Sequence, residues 1–334
     1  MRHSSATNRS RRHFIRRTAT AVAASLIGLP PATADPPPET RRIRLHYYPV
    51  ACIAPLYVAE ALLAAEGFTD IEFVGPFMGV AVGPDKADFD LMAACSLLTA
   101  LDRGNPIVTL LGVHLGCYEL FGSERVRSIR DLRGALVAVD GIGGAQHAML
   151  SSMAAYVGVD PRKDIRWLVQ LPPGGKQLYV EGKIDAYLGF PPDTQELRAR
   201  GIGRVIVNTA TDKPWSQYAC CMLVTYRDYL ERNPVATKRA MRALVKAADL
   251  CATEPERMAR RLVELRIVDR YEYALDTLKE VGFGAWRSYD PADAMRFHGI
   301  RLHDVGLIRS TPNELIDRGT DWRILNELRR ELRT

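Results

Sequence analysis

Beyond its first 34 residues the chain has no apolar run of the ~18 residues that a membrane-spanning helix needs, so no span is expected there. No cysteine precedes Cys52, which leaves no lipid-attachment cysteine near the start. There is no Gly-x-Ser-x-Gly elbow, no His-Glu-x-x-His helix and no Walker A loop, so serine hydrolases, zinc proteases and P-loop hydrolases lose their usual machinery. Gly141 and Gly143 follow a strand pattern, yet the third glycine of a dinucleotide fingerprint would fall at Gln146. His147 has no visible serine or aspartate partner and reads as a hydrogen-bonding residue rather than a base. Internal repeats are absent as well.

Charge excludes a further class. The chain carries 45 Lys+Arg and 39 Asp+Glu, a net of +6. Residues 1–34 contain six arginines (2, 9, 11, 12, 16 and 17) and no acid, so the remainder balances at 39 against 39. The basic excess therefore belongs to the start of the chain and gives no reason to expect a nucleic-acid partner. Six cysteines (52, 95, 117, 220, 221 and 251) show no framework spacing and are expected as buried free thiols. No metal and no cofactor are expected.

What is present starts with Ser10-Arg11-Arg12-His13-Phe14-Ile15, a short apolar run from Ala19 to Leu29, and Ala32-Thr33-Ala34. A paired arginine, an apolar stretch and a small-x-small triplet resemble a twin-arginine export signal with its cleavage site. Residues 1–34 are thus expected to be a signal peptide, and the rest a soluble periplasmic protein. About 300 residues exceed what one compact core usually holds, so two lobes are expected.

Arg42 to Tyr48 alternates as a strand does, and Leu56 to Glu66 has helical periodicity. Further strands are expected at 71–74, 89–93, 106–114, 135–139, 165–168, 184–188, 205–207 and 220–225. A small-residue turn is expected at Ala94-Cys95-Ser96 with a helix after it to Arg103, and further helices at 145–157 and 175–181. The apolar run 106–114 is of the buried parallel-strand type. Asn233-Pro234 opens a long helix, and Thr253-Glu254-Pro255-Glu256 reads as a capping box. Helices near 270–281, 291–305 and 321–331 close the chain. This alternation followed by helices implies α/β lobes with mainly parallel sheets.

Four segments carry a family resemblance: Tyr48-Pro49 with Ala54-Pro55-Leu56-Tyr57-Val58-Ala59, Asp131 to Val139, Val157 to Ile165, and Glu181 to Ala186. In this order they resemble periplasmic substrate-binding proteins of nitrate/sulfonate/taurine-type ABC importers, including relatives that bind thiamin-pyrimidine precursors. The resemblance implies a type II periplasmic-binding-protein fold: two α/β lobes, a hinge of two chain crossings and a helical C-terminal tail. Lobe I would comprise 41–116 and 222–334, and lobe II 117–221. The crossings would lie near Gly116-Cys117-Tyr118 and Tyr218 to Met222. Ligand capture by hinge closure, delivery to an inner-membrane permease and a monomeric state follow from the same resemblance. Two alternatives stand beside it: a pyrimidine-precursor-synthase-like enzyme, and a periplasmic ligand sensor. The fungal synthases carry a cysteine-rich run; here Cys220-Cys221 is its remnant, read as a poor chelate because strand neighbours face opposite sides.

Ligands of open α/β sheets sit beyond the C-terminal strand ends, where helix N-termini favour anions. That places Tyr48, Cys52 and Ala54 in the first candidate loop, Cys95 and Ser96 in the second, and Gly143, Gly144, Gln146 and His147 in the third. Phe190 stands in the fourth and Tyr218 at the second crossing. The Gly143 to His147 turn is the best anion cradle, while Tyr48 and Phe190 suit a heteroaromatic ring. Both ligand classes stay open at this point. Glu119 is read first as a salt-bridge residue.

Overall fold

The computed structural model describes residues 35–171 and 173–332. The export-signal reading of residues 1–34 lies outside the described residues. Among those described, no helix is long and apolar enough to cross a membrane.

Among the described residues, ten strands build two five-stranded sheets. The first contains β1 (Arg42–His46), β2 (Asp70–Val74), β3 (Phe89–Ala93) and β4 (Ile107–His114). The second contains β5 (Glu119–Gly122), β6 (Leu136–Val139), β7 (Arg166–Val169), β8 (Ala186–Gly189) and β9 (Arg204–Asn208). The chain then returns to the first sheet with β10 (Cys221–Tyr226). Strand order is β2-β1-β3-β10-β4 in one sheet and β7-β6-β8-β5-β9 in the other. The chain thus passes between the sheets twice, once between β4 and β5 and once between β9 and β10. This is the two-lobe fold of periplasmic binding proteins.

The sheets are mixed rather than mainly parallel. β1 pairs parallel with β2 and β3, and β6 with β7 and β8; β10 and β5 pair antiparallel with both their neighbours. The cause is topological: β5 and β10 are the first strands after a crossing, and each enters its new sheet against the local direction. β4 is wholly buried as expected, but its strand partner among the described residues is β10, antiparallel, with one isolated parallel bridge from Thr109 to Thr320. Its burial comes from covering helices, among them Pro234–Thr253 and Arg323–Glu331.

Local chemistry explains the elements. β1 alternates, with Ile43 and Leu45 fully buried while Arg44 reaches the carboxylate of Asp88 at 2.7 Å. The expected helix 56–66 is two, Ala54–Val58 and Glu60–Ala65, broken at Ala59. The long helix Pro234–Thr253 has Pro at its first position, but Asn233 does not cap it through its side chain. Glu39 does so instead, accepting from Val235 N at 2.9 Å and Ala236 N at 2.8 Å. The capping box expected at Thr253 is also not formed: that hydroxyl donates to the Asp249 carbonyl because the previous helix runs through it. Complete boxes occur at Ser128/Asp131 and Thr311/Glu314.

The C-terminal helices touch both lobes. Pro291–Asp304 packs against Ala94–Asp102 and Ala145–Tyr156. His298 Nδ1 meets Ser152 Oγ at 2.9 Å. Glu280, at the end of Tyr271–Glu280, binds Arg198 at 2.7 Å and Gln195 at 3.2 Å.

The interlobe cleft as candidate ligand site

Between the sheets lies a cavity of about 420 Å³, a suitable volume for a small organic solute. Its floor and walls come from the ends of β1, β3 and β6 and from the loops that follow them. Tyr48, Cys52, Ser96, Gly143, Gly144 and Phe190 line it. The other five candidates do not. Ala54 is buried in the first turn of its helix. The Cys95 thiol points at Met149 Sδ, 3.7 Å away. The Tyr218 ring stacks on Phe297 with centroids 4.0 Å apart.

Gln146 and His147 brace the wall from behind. Gln146 Oε1 accepts from Asp140 N at 3.0 Å, and its Nε2 donates to the Leu188 carbonyl at 2.7 Å. His147 Nδ1 accepts from Gly143 N at 3.2 Å, and the ring leans on Trp167. Burial, aided by the charge of Arg103, pushes the His147 pKa down to about 4, so this ring stays neutral.

The anion cradle is already filled. Asp140 follows β6, and its Oδ2 accepts from Ala145 N at 3.2 Å at the start of the helix Ala145–Tyr156. Gly144 N is spent on the Gly141 carbonyl, and Gly143 N on His147. A protein carboxylate therefore occupies the helix terminus that a ligand anion would need. Burial raises the Asp140 pKa, with the nearby backbone N–H groups at the start of the helix, Ala145 first, opposing. Its Oδ1 is buried and has no hydrogen-bond partner within the protein.

The opposite wall is aromatic. The His46 ring lies close to parallel with those of Tyr48 and Phe77, at centroid distances of 6.2 and 6.0 Å. His46 Nδ1 lies 2.8 Å from Asp90 Oδ1, and its Nε2 accepts from Phe77 N at 3.3 Å. The ring is thus held as a single tautomer with Nδ1–H donating. Phe190 packs edge-on against Tyr118. The Tyr48 hydroxyl keeps its proton: burial, then the charges of Asp140 and Asp193, push it up to about 12.

Two polar contacts bridge the cleft mouth. Thr99 Oγ1 donates to the Gly143 carbonyl at 2.7 Å, and Arg103 donates to that of Ile142 at 3.2 Å. Gly143 has φ +81°, and a Cβ there would meet the Arg103 guanidinium at 2.3 Å, so only glycine allows the contact. Arg103 is the one permanent cation on the wall, among the described residues, against the carboxylates of Asp90 and Asp140.

Sequence reasoning missed His46, Phe77, Asp90, Arg103 and Asp140. A usable signal existed for two: Asp90 interrupts an otherwise apolar buried strand, and Asp140 closes another. Glu119 lies off the cavity, its carboxylate 3.6 Å from Arg198.

A family model described as NMT1/THI5 like matches residues 79–258, more than half of the chain. The chain belongs to the NMT1/THI5-like family. No curated protein sequence matches it. Among solved structures, this NMT1/THI5-like chain is similar to the periplasmic nitrate-binding protein NrtA from Synechocystis PCC 6803. The identity is 15%, coverage 89% of this chain and 90% of that one, and the TM-score 0.76. It is also similar to the alkanesulfonate-binding protein SsuA from Xanthomonas axonopodis pv. citri (17% identity, 84% and 98% covered, TM-score 0.64). The desulfurization enzyme DSZB shares the fold less closely (16%, 87% and 100%, TM-score 0.55). At these identities the likeness shows the fold.

Proposed function

We propose that this chain is the solute-binding component of an ABC importer, and that its solute is a small flat heteroaromatic that is neutral or cationic. The observation that carries the choice of solute is the Asp140 carboxylate, which lines the cavity and is seated at the N-terminus of Ala145–Tyr156, where a ligand anion would otherwise sit. A nitrate or sulfonate at that place would meet a like charge where its relatives' names imply an anion. A ring N–H or amino group would instead meet a carboxylate of complementary character, and the ring would lie beside the aromatic side chains of Tyr48, His46 and Phe77.

In this reading the two lobes, 41–116 with 222–334 and 117–221, close over the ligand about the crossings at 116–118 and 218–222. Thr99 and Arg103 hold the closed mouth. Closure needs ligand contacts that the open form lacks, so ligand shifts the population toward the closed form. Tyr48, Ser96 and Phe190 would touch the solute. The closed form would be delivered by a monomer to an inner-membrane permease in the periplasm, after export directed by residues 1–34.

A thermal-shift panel tests the ligand class. Aminopyrimidines and related ring bases should raise the melting temperature saturably, by mass action, and nitrate and alkanesulfonates should not. A saturable shift with the oxyanions alone would overturn the choice of solute.

A further inference from the structure

At the cavity lining, to which Cys221 contributes, the two crossings bring four metal-ligating side chains together. The ligand atoms of His114, Cys117, Cys220 and Cys221 all lie within 4.8 Å of one another, and all four residues are buried. Cys117 Sγ is 3.4 Å from Cys220 Sγ. Cys52 adds a further thiol in hydrogen-bonding reach of Cys117 and Cys221. None of the six cysteines is in a disulfide.

Cys220 and Cys221 are sequence neighbours, yet both reach the cluster. β10 begins only at Cys221, and its pairing with β4 shifts register between Cys221 and Met222. Cys220 is held outside the strand by hydrogen bonds to the His114 carbonyl and from Ala94 N, each 2.8 Å. Strand alternation, which would send the two thiols to opposite faces, does not apply there.

His114 supplies the second, independent observation. Its Nδ1 is tied to the Leu115 carbonyl, which fixes the proton on that nitrogen. Its Nε2 is then a bare lone pair, fully buried and without a hydrogen-bond partner. An orphaned buried acceptor costs about 1–3 kcal/mol. A metal-bound histidine has the same arrangement, one nitrogen donating to a carbonyl and the other facing the ion. A disulfide between Cys117 and Cys220 would leave Nε2 and Cys221 as they are, and a purely apolar thiol core gives Nε2 no role.

We propose that His114, Cys117, Cys220 and Cys221 form a closed tetrahedral zinc(II) site that rivets the two interlobe crossings. Three thiolates and an imidazole are the donor set of structural zinc. Ligand–ligand edges in such a site are roughly 3.3–3.8 Å, from bond lengths of about 2.0–2.3 Å, so the longest edge here contracts by about 1 Å on binding. Binding one ion releases three thiol protons to solvent and changes no oxidation state. The ion ties the first crossing to the second, and Cys52 places its second sphere against the cleft loop. This inference stands apart from the solute reading and survives its failure.

The test is titration of cobalt(II), then zinc(II), into the reduced, metal-free full chain. Expected are one equivalent bound, thiolate-to-cobalt charge transfer with intense tetrahedral visible bands, and displacement by zinc(II). His114→Ala and the double variant Cys117→Ser/Cys220→Ser should each weaken binding by about 100-fold or more, while Cys95→Ser and Cys251→Ser leave it unchanged. Should the cluster variants fail to fold, alkylation of the wild-type chain read by mass spectrometry decides: zinc(II) should protect Cys117, Cys220 and Cys221. A weak octahedral cobalt spectrum, affinity indifferent to these substitutions, or equal alkylation with and without zinc(II) overturns the proposal.

Discussion

Asp140→Asn separates the two ligand chemistries with a single atom change. The native carboxylate lines the cleft and accepts from Ala145 N through Oδ2, while its Oδ1 is buried beside Gly144. Asparagine keeps the shape and an acceptor oxygen but removes the charge. At the helix terminus a negative charge contributes about 0.3–1 kcal/mol, up to ~2 in partly buried sites. That gain is offset here by the burial that raises the Asp140 pKa. The variant should therefore stay folded, with its melting temperature lowered by a few degrees at most, roughly 2–4 °C per kcal/mol for a chain of this size. Binding should respond much more. A hydrogen bond to an ionised acceptor contributes about 1.5–3 kcal/mol, so losing that charge should weaken a ring-base ligand about 10- to 100-fold. Isothermal titration calorimetry reads both variants directly. Wild-type affinity should also fall as acid protonates Asp140, a dependence absent from the variant. An Asp140→Asn protein that is well folded and binds the same ligand within twofold of wild type would refute the reasoning.

Three stability predictions follow from other buried groups. Burial raises the Glu119 pKa to about 7 from 4.5, against the nearby Arg198. The folded form therefore holds a proton that the unfolded form has lost, and stability falls as pH rises from 4.5 to 7, by up to about 3 kcal/mol. Urea unfolding at pH 5 and pH 8 should show this loss in wild type but not in Glu119→Gln; an equal slope in both would contradict it. Burial pushes the His298 pKa down to about 4 from 6.5, so the opposite sign applies: stability is present above 6.5 and is lost as pH falls toward 4. His298→Gln should flatten that acid limb in thermal melts, and an unchanged limb assigns it to other groups. Glu39→Ala removes both acceptors at the start of Pro234–Thr253 and should cost about 1–2 kcal/mol in urea titration; a loss below 0.3 kcal/mol would show that solvent replaces the cap.

Most of the strand and helix content was legible because it is written locally. The alternation of Arg42–His46, the Pro at the start of Pro234–Thr253 and the small-residue turn before Ala145–Tyr156 each act within a few residues. β5 was missed: it has only four residues, Glu-Leu-Phe-Gly, too few for a period to show. The cap on Pro234–Thr253 was illegible for a different reason, since Glu39 reaches it across nearly 200 residues of sequence. The cleft was legible as a set of loops, because chain topology alone dictates where strand ends meet. Its chemistry was not. Gln146 and His147 carry donor groups, but those groups are consumed inside their own turn. Asp140 was overlooked because the glycines after it suggested a welcome for an anion that its own carboxylate pre-empts. The cysteine cluster depends on two crossings about 100 residues apart coming side by side, which spacing along the chain does not encode.

The most direct test of the central claim is calorimetry with a matched pair of ligands that share one ring: an aminopyrimidine, and the same pyrimidine bearing a sulfonate in place of the amine. The ring is then shared, and the group presented to Asp140 changes from a small neutral hydrogen-bond donor to a larger anionic acceptor. The account predicts saturable one-to-one binding of the amine and none of the sulfonate at matched concentration. Tight binding of the sulfonate with no binding of the amine would contradict it and return the cleft to the oxyanion class.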